Sequence, residues 1–555
     1  MRNSSPKRAL ISSLLTLVML ISICTPVLAG FSDPYGKHEP TIAITAARNI
    51  NVGKNEANYD QSIWIKLYKD YLGIDLTYDW MVPQDQYVGR VNMAIASQDL
   101  PDIFPVDMRQ LYQLQEAGLI ADLTDVWEKG ATQKVKDIYT AAGATASMQI
   151  ATIDGHLYGI PEVTPIEESC HVLFIREDWR KKLDLPEPTT VENMMKLFEG
   201  FATMDPDGNG LQDTYALGLS GKSLNPAAYE MTSFANSFGA YPNTWIEKEG
   251  KVVYGGVQPE MKTVLATLAD MYQKKWINPE FTMFDEAKAA EDLLNGKIGA
   301  LYGLQWSMWI SNAGVDLFKN DANSEIKAYP IAGILEGARP VAFNNTNRFF
   351  VVSKDCANPE IAIQMLNLIQ WMGMEAGPED MTYEYWDKEV WNPNWEYALI
   401  RPETVHFNVQ RWINAHKAYA SKDPADIAVC MDHYLNRLLW EGAEKYWDDG
   451  AKMRLSENED DRNTAATWFG FTMSGEVFRI IRDVYADKLM VDKRGPIVTE
   501  SMVDYQASLD TLQLTTYANI ITGEESIDRF DAFAQEWDNL GGDQITDEIN
   551  AYYTK

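Results

Sequence analysis

Along the first hundred residues, apolar side chains recur with two alternating periods. Thr41-Ile42-Ala43-Ile44-Thr45 has the alternation of a strand and leads into a loop containing Gly and Asn. Ile63, Trp64, Leu67, Tyr68 and Tyr71 then fall three and four apart, which predicts a helix near Gln61 to Leu72 with Gly73 as its stop. Ile74 to Tyr78 reads as a second strand, Asp85 to Ser97 as a second helix and Asp102 to Phe104 as a short third strand. This β-α-β-α-β order predicts a parallel sheet wrapped by helices, the architecture in which ligands bind beyond the carboxyl ends of the strands. The later chain continues the alternation with a turn at Gly159 to Glu162, a strand over Val172 to Ile175, and helices over Val191 to Met204 and Met261 to Lys274. Buried strands are expected at Ile298 to Tyr302 and Phe349 to Val352. From Ala362 onward the pattern is mostly helical, interrupted by a Trp- and Pro-rich irregular stretch from Pro378 to Pro402. No repeat of solenoid period is present.

Composition narrows the class. With 555 residues, 46% hydrophobic and 23% charged, the chain is neither disordered, collagenous nor a polytopic membrane protein, and its length calls for two or three lobes with large cores. Lys+Arg number 48 against 80 Asp+Glu, a formal charge of −32. The first 29 residues hold three cations and no acid, so residues 30–555 carry 45 basic against 80 acidic side chains, or −35. Such a surface repels phosphate backbones and anionic headgroups, which argues against nucleic acid as a partner.

The three cations, Arg2, Lys7 and Arg8, precede an apolar run from Ala9 to Ile23, then Pro26 and the small-residue exit Val27-Leu28-Ala29. This is the layout of a secretory signal cleaved after Ala29. A membrane anchor is the alternative, but spanning takes about 20 apolar residues, and this run is shorter and interrupted by Ser12, Ser13, Thr16 and Ser22. Cys24 lies inside the signal, and Ile23 before it is bulkier than lipid attachment would want. The mature chain keeps Cys170, Cys356 and Cys430, an odd number without CxxC spacing, open to one disulfide or to buried free thiols.

The sharpest local motif runs from Asp205 to Asp213. Asp205, Asp207 and Asn209 at loop positions one, three and five, Gly210 at six, the Leu211 carbonyl at seven and Asp213 at nine supply the hard oxygen donors that calcium requires. The bidentate Glu of a complete loop would stand at position twelve, where Ala216 sits, so Asp213 must supply more of the coordination. A plain Asx/Gly turn is the alternative, and magnesium fits less well. Directly after it, Ala216-Leu217-Gly218-Leu219-Ser220-Gly221-Lys222-Ser223 imitates a phosphate-binding loop, but Leu224-Asn225-Pro226 follows where a helix should open. No HExxH or nucleophile elbow is present, and the histidines at 38, 156, 171, 406, 416 and 433 form no ligand pattern. The acidic run Glu457 to Asp461 reads as a solvated face.

Aromatic residues stand out instead: 17 Trp, 27 Tyr and 19 Phe, several in loops rather than helical stripes. Sugar rings present apolar C–H faces to Trp and Tyr, while Asp, Asn, Gln and Arg bind the hydroxyls. Trp306 and Trp309, beside Gln305 and Ser307 just after a strand, suit that task, although core packing is the alternative for each. The segment Asp102 to Arg109 is a second candidate wall. Trp386, Trp391 and Trp395 could line a pocket or belong to an irregular structural segment.

The run Phe174-Ile175-Arg176-Glu177-Asp178-Trp179-Arg180-Lys181-Lys182-Leu183, followed by Pro188-Thr189-Thr190-Val191 and the 205–215 loop, resembles the family 1 extracellular solute-binding proteins of bacterial ABC importers. So do Leu100-Pro101-Asp102-Ile103-Phe104, Asp154-Gly155-His156-Leu157-Tyr158-Gly159-Ile160-Pro161, Asn295-Gly296-Lys297-Ile298-Gly299-Ala300 and Leu540-Gly541-Gly542-Asp543-Gln544-Ile545, in shared order across nearly the whole mature chain. The resemblance implies an α/β, two-lobed periplasmic-binding-protein-like fold whose lobes, joined by crossing strands, close over a ligand that is commonly an oligosaccharide. In the similar maltodextrin-binding proteins a Trp after the Asn-Gly-Lys strand stacks on the sugar, which implies that role for Trp306. In alginate-binding relatives the calcium loop is structural.

The reading is therefore a non-catalytic, monomeric oligosaccharide receptor, extracellular and either secreted or associated with the outer face of the cytoplasmic membrane, that delivers its ligand to an ABC permease. Trp306, Asp107 and Arg109, with Trp309, Gln305 and Arg48, are expected in the cleft, and Asp205, Asp207, Asn209, Leu211 and Asp213 around structural Ca2+. Expected divisions are 1–29 signal, 30–165 first lobe, 166–345 second lobe, 346–450 return to the first lobe with a helical insertion, and 451–555 a helical segment on the second lobe. A secreted polysaccharide-degrading enzyme, a ligand-presenting subunit of a membrane sensor and a peptide receptor are the rivals.

Overall fold

A computed structural model describes residues 36–553 except 51–58, 141–143, 164–168, 224–227, 309–316, 319, 322, 343–347, 375–396, 401–406, 432–433, 496 and 498. The signal with Cys24, and Trp309, Trp386, Trp391 and Trp395, lie outside the described residues. In chain order the strands are β1 (Ile42–Ile50), β2 (Ile74–Pro83), β3 (Ile103–Val106), β4 (Thr152–Ile153), β5 (His156–Leu157), β6 (Ile160–Pro161), β7 (Val172–Arg176), β8 (Tyr215–Leu217), β9 (Trp245–Lys248), β10 (Lys251–Tyr254), β11 (Ile298–Gly303), β12 (Ile326–Tyr329), β13 (Val341–Ala342), β14 (Phe349–Val352) and β15 (Met490–Val491).

The first sheet has the order β2-β1-β3-β14-β6, with β2 and β3 parallel to β1. The helical period read from Ile63 to Tyr71 becomes an α-helix over Ile63–Leu67 and one wider turn over Tyr68–Leu72, ended by Gly73 at φ +65°. A side chain there would strike the backbone carbonyl of His38, so the stop needs glycine for space as well as for conformation. The second sheet has the order β12-β7-β11-β8, with β8 parallel and β7 antiparallel to β11.

Two large apolar cores follow from the two sheets. The first gathers β1, β2, β3 and β14, with Ile361, Leu366 and Ile369 of the helix Ile361–Met374 and Tyr397 to Ile400. The second gathers β7, β8, β11 and β12, and also Val409, Trp412, Leu439, Trp440, Phe469, Val477 and Leu509. The helices Phe407–Ser421, Pro424–Met431 and Tyr434–Arg454 therefore pack with the second lobe, which corrects the division expected at 450. Periodicity shows that a helix has an apolar face; which sheet that face covers is decided by docking, here against the helix Glu459–Ile480. Of the acidic run, Glu459, Asp460 and Asp461 form the first turn of that helix under the Asn458 cap, where its dipole favours negative charge. Cys170, Cys356 and Cys430 are buried, and no disulfide joins them. Among the described residues, no helix is long and apolar enough to cross a membrane.

Candidate functional site

Strand direction alone brings two edges together. In the first sheet β6 ends at Pro161, opposite Phe349, where β14 begins, and Phe349 in turn lies opposite Val106, the carboxyl end of β3. In the second sheet β7 begins at Val172, opposite Gly303, the carboxyl end of β11. The chain thus leaves and re-enters the first sheet at its carboxyl edge, and enters the second at its carboxyl edge. Both edges border the same connections. At one of them the Glu162 amide donates to the Arg348 carbonyl (2.8 Å), and their side chains pair at 3.1 Å.

On the first edge Asp107 caps the helix Met108–Glu116. Its carboxylate accepts from the Gln110 amide (2.8 Å), and Gln110 Oε1 accepts from the Asp107 amide (3.2 Å). Gln110 is itself held by Nε2 donating to Asn92 Oδ1 (2.8 Å) and to the Val88 carbonyl (3.1 Å). The reciprocal cap fixes where the half-buried carboxylate points, with the exposed Arg109 guanidinium 4.0 Å from its other oxygen. Arg48, expected as a ligand contact, is only 3% exposed. Its Nη1 donates to the Tyr397 carbonyl (2.7 Å), and its guanidinium lies 4.4 Å from the centre of the Tyr59 ring. The register shift beside Arg48 leaves Asp79 of β2 as the extra residue opposite Ala46 and Ala47, while Ala46, Ala47 and Arg48 are buried in succession, as in an inner strand between β2 and β3 that is covered on both faces. Arg48 therefore locks the return segment onto β1 from inside the core.

On the second edge the chain leaves β11 through Gly303, where a Cβ would collide with the buried Ser307 side chain. Gln305 is 9% exposed, and its carbonyl accepts from the Ser474 hydroxyl (3.0 Å) of the helix Glu459–Ile480. Trp306 stands between these two buried neighbours yet is 37% exposed. Strand β8, parallel to β11, leaves at the same edge. Its exit spends its amides on carbonyls: Ser220 to Tyr229 (2.7 Å), Gly221 to Phe281 (3.0 Å) and Lys222 to Phe284 (3.1 Å). The amides of Ser220, Gly221 and Lys222 are thus spent on separate carbonyls rather than turned together toward an anion. Beside Lys222 opens a cavity of about 410 Å³ lined by Trp245, Asp492, Arg494 and Asp510 among others. Sequence reasoning missed these residues because Val491-Asp492-Lys493-Arg494-Gly495 reads as a surface turn; the pairing of β15 with β13 places it next to the interlobe connection.

The 205–213 loop sits at the opposite, amino end of β8. The Asp205 carboxylate accepts from the Gly208 and Gly210 amides (3.0 Å each), with both glycines at positive φ. Asn209 Nδ2 donates to Asp207 (2.8 Å) and Asp213 (3.1 Å), and Lys297 pairs with Asp213. The lysine, with Asn209, holds the Asp213 carboxyl below its ordinary range. Burial, with the nearby Asp205 and Asp213, pushes Asp207 up, the repulsion that a cation relieves. The oxygen donors fit a hard cation, but among the described residues no three acidic, His or Cys side chains already converge as a cage.

A profile of the family described as bacterial extracellular solute-binding protein matches residues 53–371, more than half of the chain. Lipoprotein LipO of Bacillus subtilis (strain 168) is 26% identical over 513 residues, covering 90% of each chain. The polygalacturonan/rhamnogalacturonan-binding protein YtcQ of the same organism is 25% identical over 295 residues, covering 52% of this chain and 56% of its own. Among solved structures, the ABC-transporter substrate-binding protein FusA of S. pneumoniae, an EF-hand mutant in complex with fructo-nystose, superposes with a TM-score of 0.60 at 16% identity, over 92% of this chain and 99% of its own. At that identity the likeness shows a shared fold.

Proposed function

The chain belongs to the bacterial extracellular solute-binding protein family, and from that premise we propose that it captures an oligosaccharide between its lobes and delivers it, unaltered, to the permease of an ABC importer. The observation that carries this reading is Trp306, left 37% exposed between buried Gln305 and Ser307 on an edge that borders the interlobe connections. A flat apolar ring held on a rigid strand exit is a stacking plate for a sugar face, and Asp107 and Arg109 on the other edge present an acceptor and donors to hydroxyls. Closing the lobes desolvates the stacked ring, and the ligand's higher affinity for the closed state drives the change. The names of YtcQ and the FusA complex, both with glycan ligands, support the ligand class. LipO, a lipoprotein, supports a place at the outer face of the membrane.

The same reading gives the protein no catalytic role and makes it a monomer that meets its permease through one face of each lobe. Asp205, Asp207, Asn209, Leu211 and Asp213 would hold Ca2+ as a structural ion, far along β8 from the sugar. The EF-hand named for FusA supports that.

A thermal-unfolding screen against neutral and acidic oligosaccharides, with calcium and after chelation, tests the proposal. Ligand at about one hundred times its dissociation constant adds roughly 2.7 kcal/mol to the folded state. A glycan-specific rise with the sugar recovered at full length is expected. Shortened fragments would establish an enzyme, and no response to any glycan would refute the ligand class.

A further inference from the structure

The cavity beside Lys222 is built, not incidental. Its floor is aromatic: Trp245 lies 5.3 Å from Tyr254, and Tyr254 stacks on Trp537 at 4.9 Å between ring centres and 5° between planes. The Tyr254 hydroxyl donates to Gln513 Oε1 (2.9 Å), and Gln513 Nε2 donates to Asn243 Oδ1 (3.0 Å), so the wall is locked by a satisfied polar network. Its volume of about 410 Å³ falls within the roughly 300–1,000 Å³ of ligand pockets.

The charged groups in its lining are of both kinds. Lys222 and Arg494 are donors; Asp492 and Asp510 are acceptors. Asp492 is only 7% exposed, fixed by accepting from the Arg494 amide (2.8 Å). Arg494 Nε finds no hydrogen-bond acceptor among the described residues. Asp510 accepts from Gln506 Nε2 (2.7 Å). The two cations are matched by the two carboxylates, and Lys222 also lies 3.7 Å from Asp285. Burial pushes Asp492 above the ordinary carboxylate range, and with Lys222 and Arg494 set against Asp492, Asp510 and Asp285 no cation is in surplus to receive a further anion. Vicinal hydroxyls, each donor and acceptor at once, match such a mixed lining without adding charge.

We infer that this cavity is a subsite for one unit of an uncharged oligosaccharide, so that the receptor selects neutral glycans over uronates. The inference rests on the receptor reading above and deepens it by naming the substrate class. Lys222 follows β8, which is parallel to β11 and leaves at the edge that carries Trp306, and Arg494 follows β15, which pairs with β13 in the connection between the lobes.

Isothermal titration of the purified protein with length-matched fructo-, xylo- and cello-oligosaccharides and with oligogalacturonates tests it, alongside the variants Asp510→Asn and Lys222→Met, both at exposed positions. The expected result is a neutral ligand bound at least tenfold tighter than any uronate. Each variant weakens that ligand at least tenfold with the unfolding midpoint kept, and Asp510→Asn narrows the gap to the uronates. A uronate as the tightest ligand, tightened further by Asp510→Asn, would overturn the neutral class. A neutral ligand bound within twofold of wild type by both variants would overturn the subsite alone. A panel without any binder would instead refute the receptor reading on which the subsite stands.

Discussion

Replacing Trp306 by Ala separates a stacking plate from a surface ornament. Burying a Trp completely removes at most about 250 Å² from water, so a ring that is 37% exposed offers roughly 90 Å² to a ligand. At about 25 cal/mol per Å² that area is worth about 2 kcal/mol if the sugar covers all of it, and about 1 kcal/mol if it covers half. With 1.4 kcal/mol per tenfold change, the dissociation constant should rise roughly 5- to 30-fold. The part of the ring already packed against protein belongs to folding, not to binding, so the unfolding midpoint should also fall somewhat; Trp306→Phe, which keeps a flat face, should recover part of both losses. Titration calorimetry with the best glycan from the screen reads the effect directly. Affinity within twofold of wild type for Trp306→Ala, in a variant that still unfolds cooperatively, would refute the stacking argument and leave the exposed ring unexplained.

Arg48→Met should act on stability and spare binding: it removes the donor to the Tyr397 carbonyl, at a cost of about 1–3 kcal/mol for an unsatisfied buried acceptor. A large loss of affinity with unchanged denaturant midpoint would contradict its place in the core. Glu187 accepts from Lys327 (3.1 Å) and from the Tyr329 hydroxyl (3.0 Å), and Lys327 leads in holding its carboxyl below the ordinary value of 4.5. Because the folded value is the lower one, its contribution is present above the unfolded value and is lost as pH falls through the folded one. The stability gap between wild type and Lys327→Met should therefore shrink on acidification, measured as unfolding midpoints from pH 7 to pH 3; a constant gap would disprove the pairing. Burial pushes the Cys356 thiol up to about 12, and Cys170 and Cys430 are buried as well, so a thiol reagent at pH 8 should label the native protein only slowly and all three cysteines once it is unfolded.

Much of the architecture was legible because it is written in local periodicity. The strand and helix alternation between Thr41 and Phe104 became β1, β2 and β3 with their intervening helices, and Gly73 ended its helix as a stop residue should. Trp306 was legible for a related reason: a large aromatic directly after a buried strand, among small and polar neighbours, has few ways to be covered. Arg48 misled because β1 is an inner strand covered on both faces, so alternation along it does not tell which side chains meet solvent. The helices after Phe407 were recognised as helices but assigned to the wrong lobe up to residue 450, since an amphipathic face carries no address.

The cavity at Lys222 was invisible for a deeper reason. Its groups come from positions 222, 245, 492, 494 and 510, each of which reads alone as a turn or a surface helix residue. Sequence by itself determined the secondary elements, the parallel βα order of the first lobe, the acidic surface and the oxygen-rich 205–213 loop, because each depends on spacings of a few residues. Tertiary structure decided which lobe owns the late helices, which side of β1 carries Arg48, and where charge balances around an aromatic floor. Those outcomes depend on strand register and on docking between distant segments, whose energies are sums over contacts that no short window of the chain contains.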